Sequence, residues 1–177
     1  MDRSAVFIDG AYLVQVLKKH GEPAVDFLKL SERLCRGTER LRTYYYNCMP
    51  YQSHPPTRKE TERFAKADKF LFTLRRLPRF EVRLGKLGRI GGQFVQKRVD
   101  ILLAVDLVRM SWDKQIGTAV LLTGDSDFVP AVQAAKDAGV LAQLYFSSSA
   151  VHDELLDACD DCFEITTELI DGVRMQE

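Results

Sequence analysis

The sequence predicts an α/β fold with a mainly parallel central sheet and helices on both faces. Two observations lead to this prediction. Short, continuous apolar runs recur along the chain, as in strands that are covered on both faces. Amphipathic segments with helical spacing separate these runs, and such alternation is typical of a parallel sheet. No internal repeat or low-complexity linker is visible, so we expect one domain over 1–177, with 148–177 as a C-terminal helix and edge extension.

The first half of the chain predicts three strands and three helices. The apolar run at 5–8 ends at Asp9-Gly10, where helical spacing takes over. Asp26 is a suitable N-cap for the second helix, and Pro78 stops the third. Three prolines predict a loop over 48–57. The predicted strands are 5–8, 41–46 and 80–84, and the predicted helices are 11–20, 26–36 and 58–77.

The second half begins with a segment that is rich in glycine and basic residues. Its four glycines between 85 and 96 predict either a loop or an irregular hairpin. The strongly apolar segment 99–111 predicts a buried helix, and Gly139 is placed to end a later one. The predicted helices are 99–111, 126–138 with Ser126 or Asp127 as its cap, and 150–158, and the predicted strands are 119–123, 141–146 and 162–165.

The net charge of zero conceals a strong segregation of charge. Residues 58–98 carry 13 basic and 4 acidic side chains, whereas residues 99–177 carry 4 basic and 15 acidic ones. A polyanionic partner is therefore not excluded by the total charge. No apolar run reaches the ~18–20 residues of a membrane span, and the 4 cysteines are too sparse for a disulfide scaffold. We expect a cytoplasmic protein with no membrane contact.

Acidic side chains follow two of the predicted strands. Asp9 ends the first strand, and Asp125 and Asp127 follow the strand at 119–123. Asp100 begins the apolar helix. Ligands of parallel sheets bind at the carboxyl ends of the strands, so these acids meet if the two strands are neighbours. Clustered carboxylates repel one another, and Mg²⁺ or Mn²⁺ relieves that repulsion while activating a water for phosphodiester hydrolysis.

A simpler explanation of these acids is that they cap helices or form turns. Asp residues are frequent at such positions, and Asp127 or Asp100 is placed to be only an N-cap. Each acid alone is therefore weak support for a metal site. The combination of several strand-end and helix-start acids in one alternating fold carries the hypothesis.

Three motifs resemble the NYN domain family, in its LabA-like branch, of the PIN-like nuclease superfamily. The motifs are FIDGAYL at 7–13, QKRVDILLAVDL at 96–107 and VLLTGDSDFVP at 120–130. The resemblance runs from residue 5 to about residue 147. It implies a PIN-like Rossmannoid fold and a ribonuclease, a hydrolase that depends on Mg²⁺ or Mn²⁺.

The resemblance also assigns roles to single residues. The acidic positions of the family's site correspond to four residues as catalytic groups and metal ligands, which are Asp9, Asp100, Asp125 and Asp127. Asp106 matches a further recurrent acid, but six residues turn a helix by about 600°, so it cannot share a face with Asp100. Thr123 and Ser126 are candidates for orienting the carboxylates or a metal-bound water.

One position departs from the family's pattern. Many relatives have Asn three residues after the first Asp, where this chain has Tyr12. Tyr cannot reproduce the ligand geometry of Asn. Tyr12 is either a base-stacking residue or an aromatic at the rim of the site. This departure keeps open a second hypothesis, a non-catalytic RNA-binding or regulatory module with the same fold.

The basic segment between the third predicted strand and Asp100 is the candidate RNA-binding surface. Lys and Arg neutralise phosphates, and the glycines keep the segment adaptable to a single strand. The alternative is an ordinary solvated surface. The candidate RNA-binding residues are Arg83, Lys86, Arg89, Lys97 and Arg98.

The remaining motifs are weaker. Cys159-x-x-Cys162 with His152 is a possible zinc motif, but a second ligand pair is missing and free thiols are the better explanation. A Rossmannoid phosphatase would require an Asp at position 11, which is Ala11. The sequence leaves a homo-oligomer open.

Overall fold

The computed structural model describes residues 3–90 and 93–176, with side chains outside 88–97. Over these residues the chain forms eight strands, seven α-helices and one short 3₁₀ turn at Ser126–Phe128. The strands are β1 (Arg3–Asp9), β2 (Glu39–Asn47), β3 (Phe80–Leu84), β4 (Lys86–Ile90), β5 (Gln93–Lys97), β6 (Thr118–Leu122), β7 (Leu141–Phe146) and β8 (Asp161–Glu164). The helices are α1 (Gly10–Lys19), α2 (Phe27–Leu34), α3 (Arg58–Arg75), α4 (Val99–Trp112), α5 (Val129–Asp137), α6 (Asp153–Ala158) and α7 (Thr167–Asp171).

Six strands form one sheet in the order β3-β2-β1-β6-β7-β8. Every neighbouring pair in this sheet is parallel, which confirms the predicted mainly parallel α/β fold. β4 and β5 form a separate antiparallel hairpin, so the glycine-rich segment is a hairpin and not a loop. No helix in the described part of the chain is long and apolar enough to cross a bilayer.

Each face of the sheet has its own apolar core. Phe7 of β1 points to the face covered by α4 and α5, where Leu103 and Val132 are fully buried. Ile8 points to the opposite face, where α1, α2 and α3 pack and Leu30 is buried. Because successive side chains of a strand alternate between faces, β1 contributes to both cores and has no solvent-exposed face. Helices therefore cover both sides, as predicted.

The junction of β1 and α1 has no connecting loop. Asp9 ends the strand and caps the helix, because its Oδ1 accepts a hydrogen bond from the backbone N–H of Tyr12 at 3.1 Å. Gly10 is required at this junction for space. A Cβ there would lie 2.6 Å from the Tyr45 ring and 2.8 Å from the carbonyl oxygen of Tyr46. The Asp-Gly pair thus ends the strand where the helix must begin.

Three details differ from the sequence predictions. The helix expected at 126–138 begins as a 3₁₀ turn capped by Asp125, and α5 starts only at Val129, next to Pro130. Neither Ser126 nor Asp127 is the cap. The short helix α7 was not predicted from the pattern, and Thr166 caps it.

The prediction that 99–111 is a buried helix is correct for one side of α4 only. Leu103 and Leu107 are fully buried, but Ile101 is 65% exposed and Val105 is 56% exposed. The prediction failed because α4 is apolar on nearly all sides, and periodicity then gives no information about which side faces the sheet. The outer side of α4 is an apolar surface.

Truncation of two α4 side chains tests this division. Leu103→Ala removes a fully buried side chain from the sheet-facing side, so we expect a loss of about 2–5 kcal/mol in the free energy of unfolding. Ile101→Ala removes an exposed one and should cost less than ~0.5 kcal/mol. Urea denaturation in dilute solution measures both, and equal losses would contradict the orientation of α4.

Candidate active site

The candidate site lies at the carboxyl ends of β1 and β6, which are neighbours in the sheet. Their register pairs Ile8 with Leu122, so the next residues, Asp9 and Thr123, follow side by side. Thr123 is buried, and its Oγ1 donates a hydrogen bond to Oδ2 of Asp9 at 3.3 Å. The sequence predicted that the acids meet if these two strands are neighbours, and the two strands are neighbours.

A close-packed turn places the next acids. A Cβ on Gly124 would lie 2.1 Å from the carbonyl oxygen of Ala150 and 2.6 Å from Cε2 of Tyr12, so only glycine fits. The N–H of Asp125 then donates to Thr123 Oγ1 at 3.5 Å, and Oδ1 of Asp125 accepts from the N–H of Asp127 at 3.0 Å. Asp125 is therefore both a turn cap and a wall of the site. Ser126 is half-buried beside it.

Asp100 reaches the same edge of the sheet from α4. It lies in the first turn of the helix, two residues after Arg98, whose φ of 74° places it in the left-handed region. This backbone turn ends the hairpin and directs the start of α4 at the carboxyl ends of the strands. The hairpin and the acidic site are thus consecutive in the chain.

The raised pKa values of Asp9 and Asp100 indicate that each of these two residues is affected by the charge of other acids at this edge. Partial burial raises the pKa of Asp9, and the charge of Asp100 raises it further, while hydrogen bonds from Tyr12 N–H and Thr123 oppose the rise. Asp100 is solvent-exposed, but desolvation still raises its pKa, followed by repulsion from Asp125 and Asp127. Asp100 is therefore the residue that couples the acids of β1 to those after β6.

The donor set suits a hard divalent cation. The side chains are all carboxylates, which Mg²⁺ and Mn²⁺ prefer. In the described part of the chain, no three His, Cys, Asp or Glu side chains are grouped closely enough to hold a metal ion by themselves. Mg²⁺ commonly binds through one or two carboxylates and retains water and phosphate ligands. The residues present fit that mode of binding and do not form a complete protein cage.

An open cavity of about 340 Å³ borders two of the four acids, and Asp100 and Asp127 are not part of its lining. Asp9 and Asp125 lie on its wall, together with Gln15 and His152, which were not among the predicted site residues. Gln15 lies one helical turn after Ala11, which also lines the cavity. Helical spacing from the start of α1 was therefore a signal for Gln15 in the sequence. His152 had none, because a backbone hydrogen bond from its N–H to the carbonyl oxygen of Gly124 at 3.1 Å brings it there.

Tyr12 is packed into the protein. Tyr12 is only 8% exposed, and its ring lies against Gly124. Its hydroxyl accepts a hydrogen bond from the N–H of Ser147 at 2.9 Å. The side chain is not an exposed rim aromatic, and little of its ring is available for stacking on a base. Tyr12 instead ties the segment around Ser147 to the turn at Gly124 and forms part of the cavity wall.

Asp106 lies apart from the four acids, on the side of α4 that faces β2 and β3. It is 8% exposed, and its Oδ2 accepts a hydrogen bond from the hydroxyl of Tyr46 at 2.9 Å. Arg83 forms an ion pair with it at 3.5 Å, and Arg109 forms another at 3.5 Å. The structure therefore separates Asp106 from Asp100, as the helical spacing predicted.

The candidate RNA-binding residues fall into three groups. Arg83 is paired with Asp106, and its guanidinium lies 5.7 Å from the centre of the Tyr44 ring, so its charge is largely committed within the protein. Lys86 and Arg98 are exposed beside the hairpin. The side chains of Arg89 and Lys97 lie outside the described residues.

The structure does not support the zinc motif. No disulfide links the four cysteines, and Cys159 is buried while Cys162 is exposed. Burial is the main cause that raises the pKa of Cys159 to about 12. His152 lines the acidic cavity instead.

Replacing Asp106 tests its structural role. Asp106→Asn keeps the shape of the side chain but leaves the Arg83 and Arg109 guanidiniums without a carboxylate partner. We expect a loss of about 1–3 kcal/mol in the free energy of unfolding by urea denaturation. Asp127→Asn, at an exposed position, is the control and should cost less than ~0.5 kcal/mol. Equal losses for the two variants would contradict a supporting role for Asp106.

Replacing Asp100 tests the repulsion among the acids. A carboxyl whose pKa is raised in the folded state destabilises that state as the pH rises above its ordinary pKa. In a metal-free buffer, Asp100→Asn should therefore unfold at higher urea concentration than wild type at pH 7, with a gain below about 1 kcal/mol because water screens this exposed group. The gain should vanish below about pH 3, where the carboxyl is protonated in both states.

The exposed Asp68 on α3 provides the control for that measurement. Asp68→Asn should give no gain that depends on pH in the same way. A destabilising effect of Asp100→Asn at pH 7 would show that Asp100 makes a favourable contact in the folded state and would refute the repulsion.

The chain matches a known protein family over most of its length. The NYN domain family matches residues 3–166. A structure of a protein of unknown function, VPA0982, from Vibrio parahaemolyticus has a TM-score of 0.72 and 17% identity, and the match covers 98% of this chain and 96% of that one. At 17% identity, this similarity shows a shared fold.

A local sequence match covers a smaller part of the chain. Uncharacterized protein y4oD of Sinorhizobium fredii is 42% identical over 59 residues. The match spans about a third of this chain and 28% of the length of that protein. The family match covers nearly the whole described chain, including both strand ends that hold the acids. The chain therefore belongs to the NYN domain family.

Proposed function

We propose that this chain is a metal-dependent ribonuclease of the LabA-like branch, which hydrolyses phosphodiester bonds of single-stranded RNA in the cytoplasm. The observation that carries the proposal is that Asp9 and Asp125, from the ends of two neighbouring strands, line one open cavity and are connected through the Thr123 hydroxyl. The raised pKa of Asp9 and of Asp100 supports it. Membership of the NYN domain family supports it, because the PIN-like superfamily, which includes this family, contains nucleases. Perturbed acids beside a cavity are typical of functional sites.

The metal would be Mg²⁺ or Mn²⁺. The candidate ligands are Asp9, Asp100, Asp125 and Asp127, of which one or two would bind the ion directly and the others would act through its water ligands. When bound, such an ion neutralises phosphate charge and lowers the pKa of a water molecule. Burial is the main cause that raises the pKa of Asp9 and of Asp100, and the ion would offset the further rise that comes from neighbouring acids.

The chain's own hydrogen bonds orient the carboxylates for this task. Asp9 has one oxygen held by the N–H of Tyr12 and the other by Thr123. Thr123 also accepts from the N–H of Asp125, so one buried hydroxyl connects the acids at the ends of two strands. Side chains fixed in this way lose little conformational freedom when a ligand binds.

The basic hairpin supplies the RNA-binding surface. Lys86 and Arg98 are exposed at the base of the hairpin, and Arg98 is two residues from Asp100. Residues 58–98 carry an excess of nine positive charges, which favours a polyanion. Arg83 contributes less to RNA binding than the sequence predicted, because Asp106 neutralises it.

A second candidate function is a non-catalytic RNA-binding or regulatory module. Two observations favour it. Tyr12 replaces the Asn of many relatives and is locked into the protein by Ser147. In the described part of the chain, no three acids are close enough to form a metal site by themselves. In this alternative the hairpin binds RNA, and the acids do not catalyse its hydrolysis.

Cleavage of labelled single-stranded RNA distinguishes the two functions. We expect wild type to cleave in Mg²⁺ or Mn²⁺ and to stop when the metal is chelated. Asp100→Asn and Asp125→Asn should each reduce the rate at least ~100-fold, because they remove carboxylates from the metal-binding set. Asp68→Asn, an exposed acid on α3, is the matched control and should cleave as wild type does.

A thermal-unfolding measurement separates metal binding from turnover. Mn²⁺ should raise the melting temperature of wild type and of Asp68→Asn, and raise that of Asp100→Asn less, since a ligand that binds the folded state stabilises it. RNA binding without cleavage in either metal would favour the module. Cleavage by Asp125→Asn at the wild-type rate would refute the assignment of the site.

A further inference from the structure

The outer side of α4 carries a continuous apolar stripe. Ile101 is 65% exposed, Val105 is 56% exposed and Trp112 is 60% exposed, and the half-buried Val108 lies between the last two. At about 100° per residue, all four positions fall within roughly 60° of one another around the helix axis. A contiguous exposed apolar patch of this kind is typical of an interaction surface. We use the name α4 stripe for these four residues.

The spacing of the α4 stripe is symmetric about its centre. The intervals are four, three and four residues, so a copy of the helix running in the opposite direction presents the same pattern. Intervals of three and four are those of helices that pack at about 20° with interdigitating side chains. A surface that is complementary to itself under reversal is what a two-fold dimer requires.

We propose that the α4 stripe is a homodimer interface in which α4 packs antiparallel against α4 of a second copy. Ile101 then lies against Trp112 of the second copy, and Val105 lies against its Val108. The same contacts occur twice, as two-fold symmetry demands.

The charges on α4 favour a second copy of the chain as the partner of the α4 stripe. Asp100 begins the helix close to three further acids, whereas Lys114 and Asp113 lie at its end with Arg109, which shares the carboxylate of Asp106 with Arg83. Three cations against two acids leave a small excess of positive charge near that end. Antiparallel packing places the basic end of one copy near the acidic end of the other, and it also opposes the two helix dipoles favourably. Single-stranded RNA is disfavoured at the α4 stripe, because its four residues are all apolar and offer no cation to neutralise phosphate.

The area of the surface sets the expected strength of the dimer. Standard interfaces bury about 800 Å² on each partner, and three large side chains at this exposure supply a few hundred Å². The rest must come from flanking residues. We therefore expect a reversible dimer, whose population depends on protein concentration.

Trp112 provides a direct test, because it is the single tryptophan of the chain. Its indole is exposed in the monomer and covered in the dimer. As concentration increases, the mass measured by sedimentation should rise from 20.1 kDa towards twice that value. Over the same range the tryptophan emission should shift to shorter wavelength. A wild type that stays monomeric throughout would overturn the proposal.

Variants with matched exposure locate the interface. Val105→Asp places a charge in the middle of the α4 stripe and should weaken the dimer at least ~10-fold. Phe72→Asp, on α3, replaces an apolar residue that is 54% exposed and should dimerise like wild type. Circular dichroism checks that both variants remain folded. Dimerisation of Val105→Asp with wild-type affinity, or its loss in Phe72→Asp alone, would overturn the proposal.

Crosslinking tests the direction of packing. A mixture of Ile101→Cys and Trp112→Cys should form an intermolecular disulfide under oxidation with copper phenanthroline. Ile101→Cys alone should give no more than the wild-type background, which the exposed Cys162 sets. Efficient crosslinking of Ile101→Cys with itself would overturn the antiparallel arrangement. A tryptophan shift that appears only when RNA is added would assign the α4 stripe to RNA instead and overturn the dimer.

Discussion

The hydrogen bonds to Asp9 are the interactions on which the site depends. The carboxylate terminates β1, caps α1 through the N–H of Tyr12 and accepts from Thr123 at the end of β6. Residues 4–8 of β1 are fully buried between two apolar cores, so the position of Asp9 is fixed by the interior of the protein and not by a surface loop. One side chain thereby couples the centre of the sheet, the first helix and the edge where ligands of parallel sheets bind.

Capping and catalysis are compatible at this edge. A cap uses a carboxylate oxygen to satisfy a backbone N–H, and Asp9 and Asp125 both do this. Each oxygen has more than one lone pair, so a capping carboxylate keeps the capacity to bind a cation. The raised pKa of Asp9 shows that its hydrogen bonds do not fully compensate burial and the charge of Asp100. The sequence alone offered caps and ligands as alternatives, whereas the structure allows the same side chains to be both.

The sequence predicted those features that depend on local pattern. The run at 5–8 followed by Asp-Gly predicts a buried strand that ends at an acid, and the structure places it there. The features that it did not predict depend on contacts between distant segments. The burial of Tyr12 requires Ser147, and the entry of His152 into the cavity requires Gly124. For α4, composition alone did not reveal that Ile101 and Val105 face outward, because apolar residues surround the helix.

The pairing of Arg83 with Asp106 changes how the charge segregation is understood. Counted along the chain, Arg83 belongs to the basic segment and Asp106 to the acidic one, and both were candidates for function. In the fold they neutralise each other beside Tyr46, between α4 and the sheet. Their pairing fixes α4 against β2 and β3, which in turn holds Asp100 at the other end of the helix in its place. Lys86 and Arg98 remain exposed at the base of the hairpin, and Arg98 precedes Asp100 by two residues, so positive and negative charge lie next to each other in the chain at the start of α4.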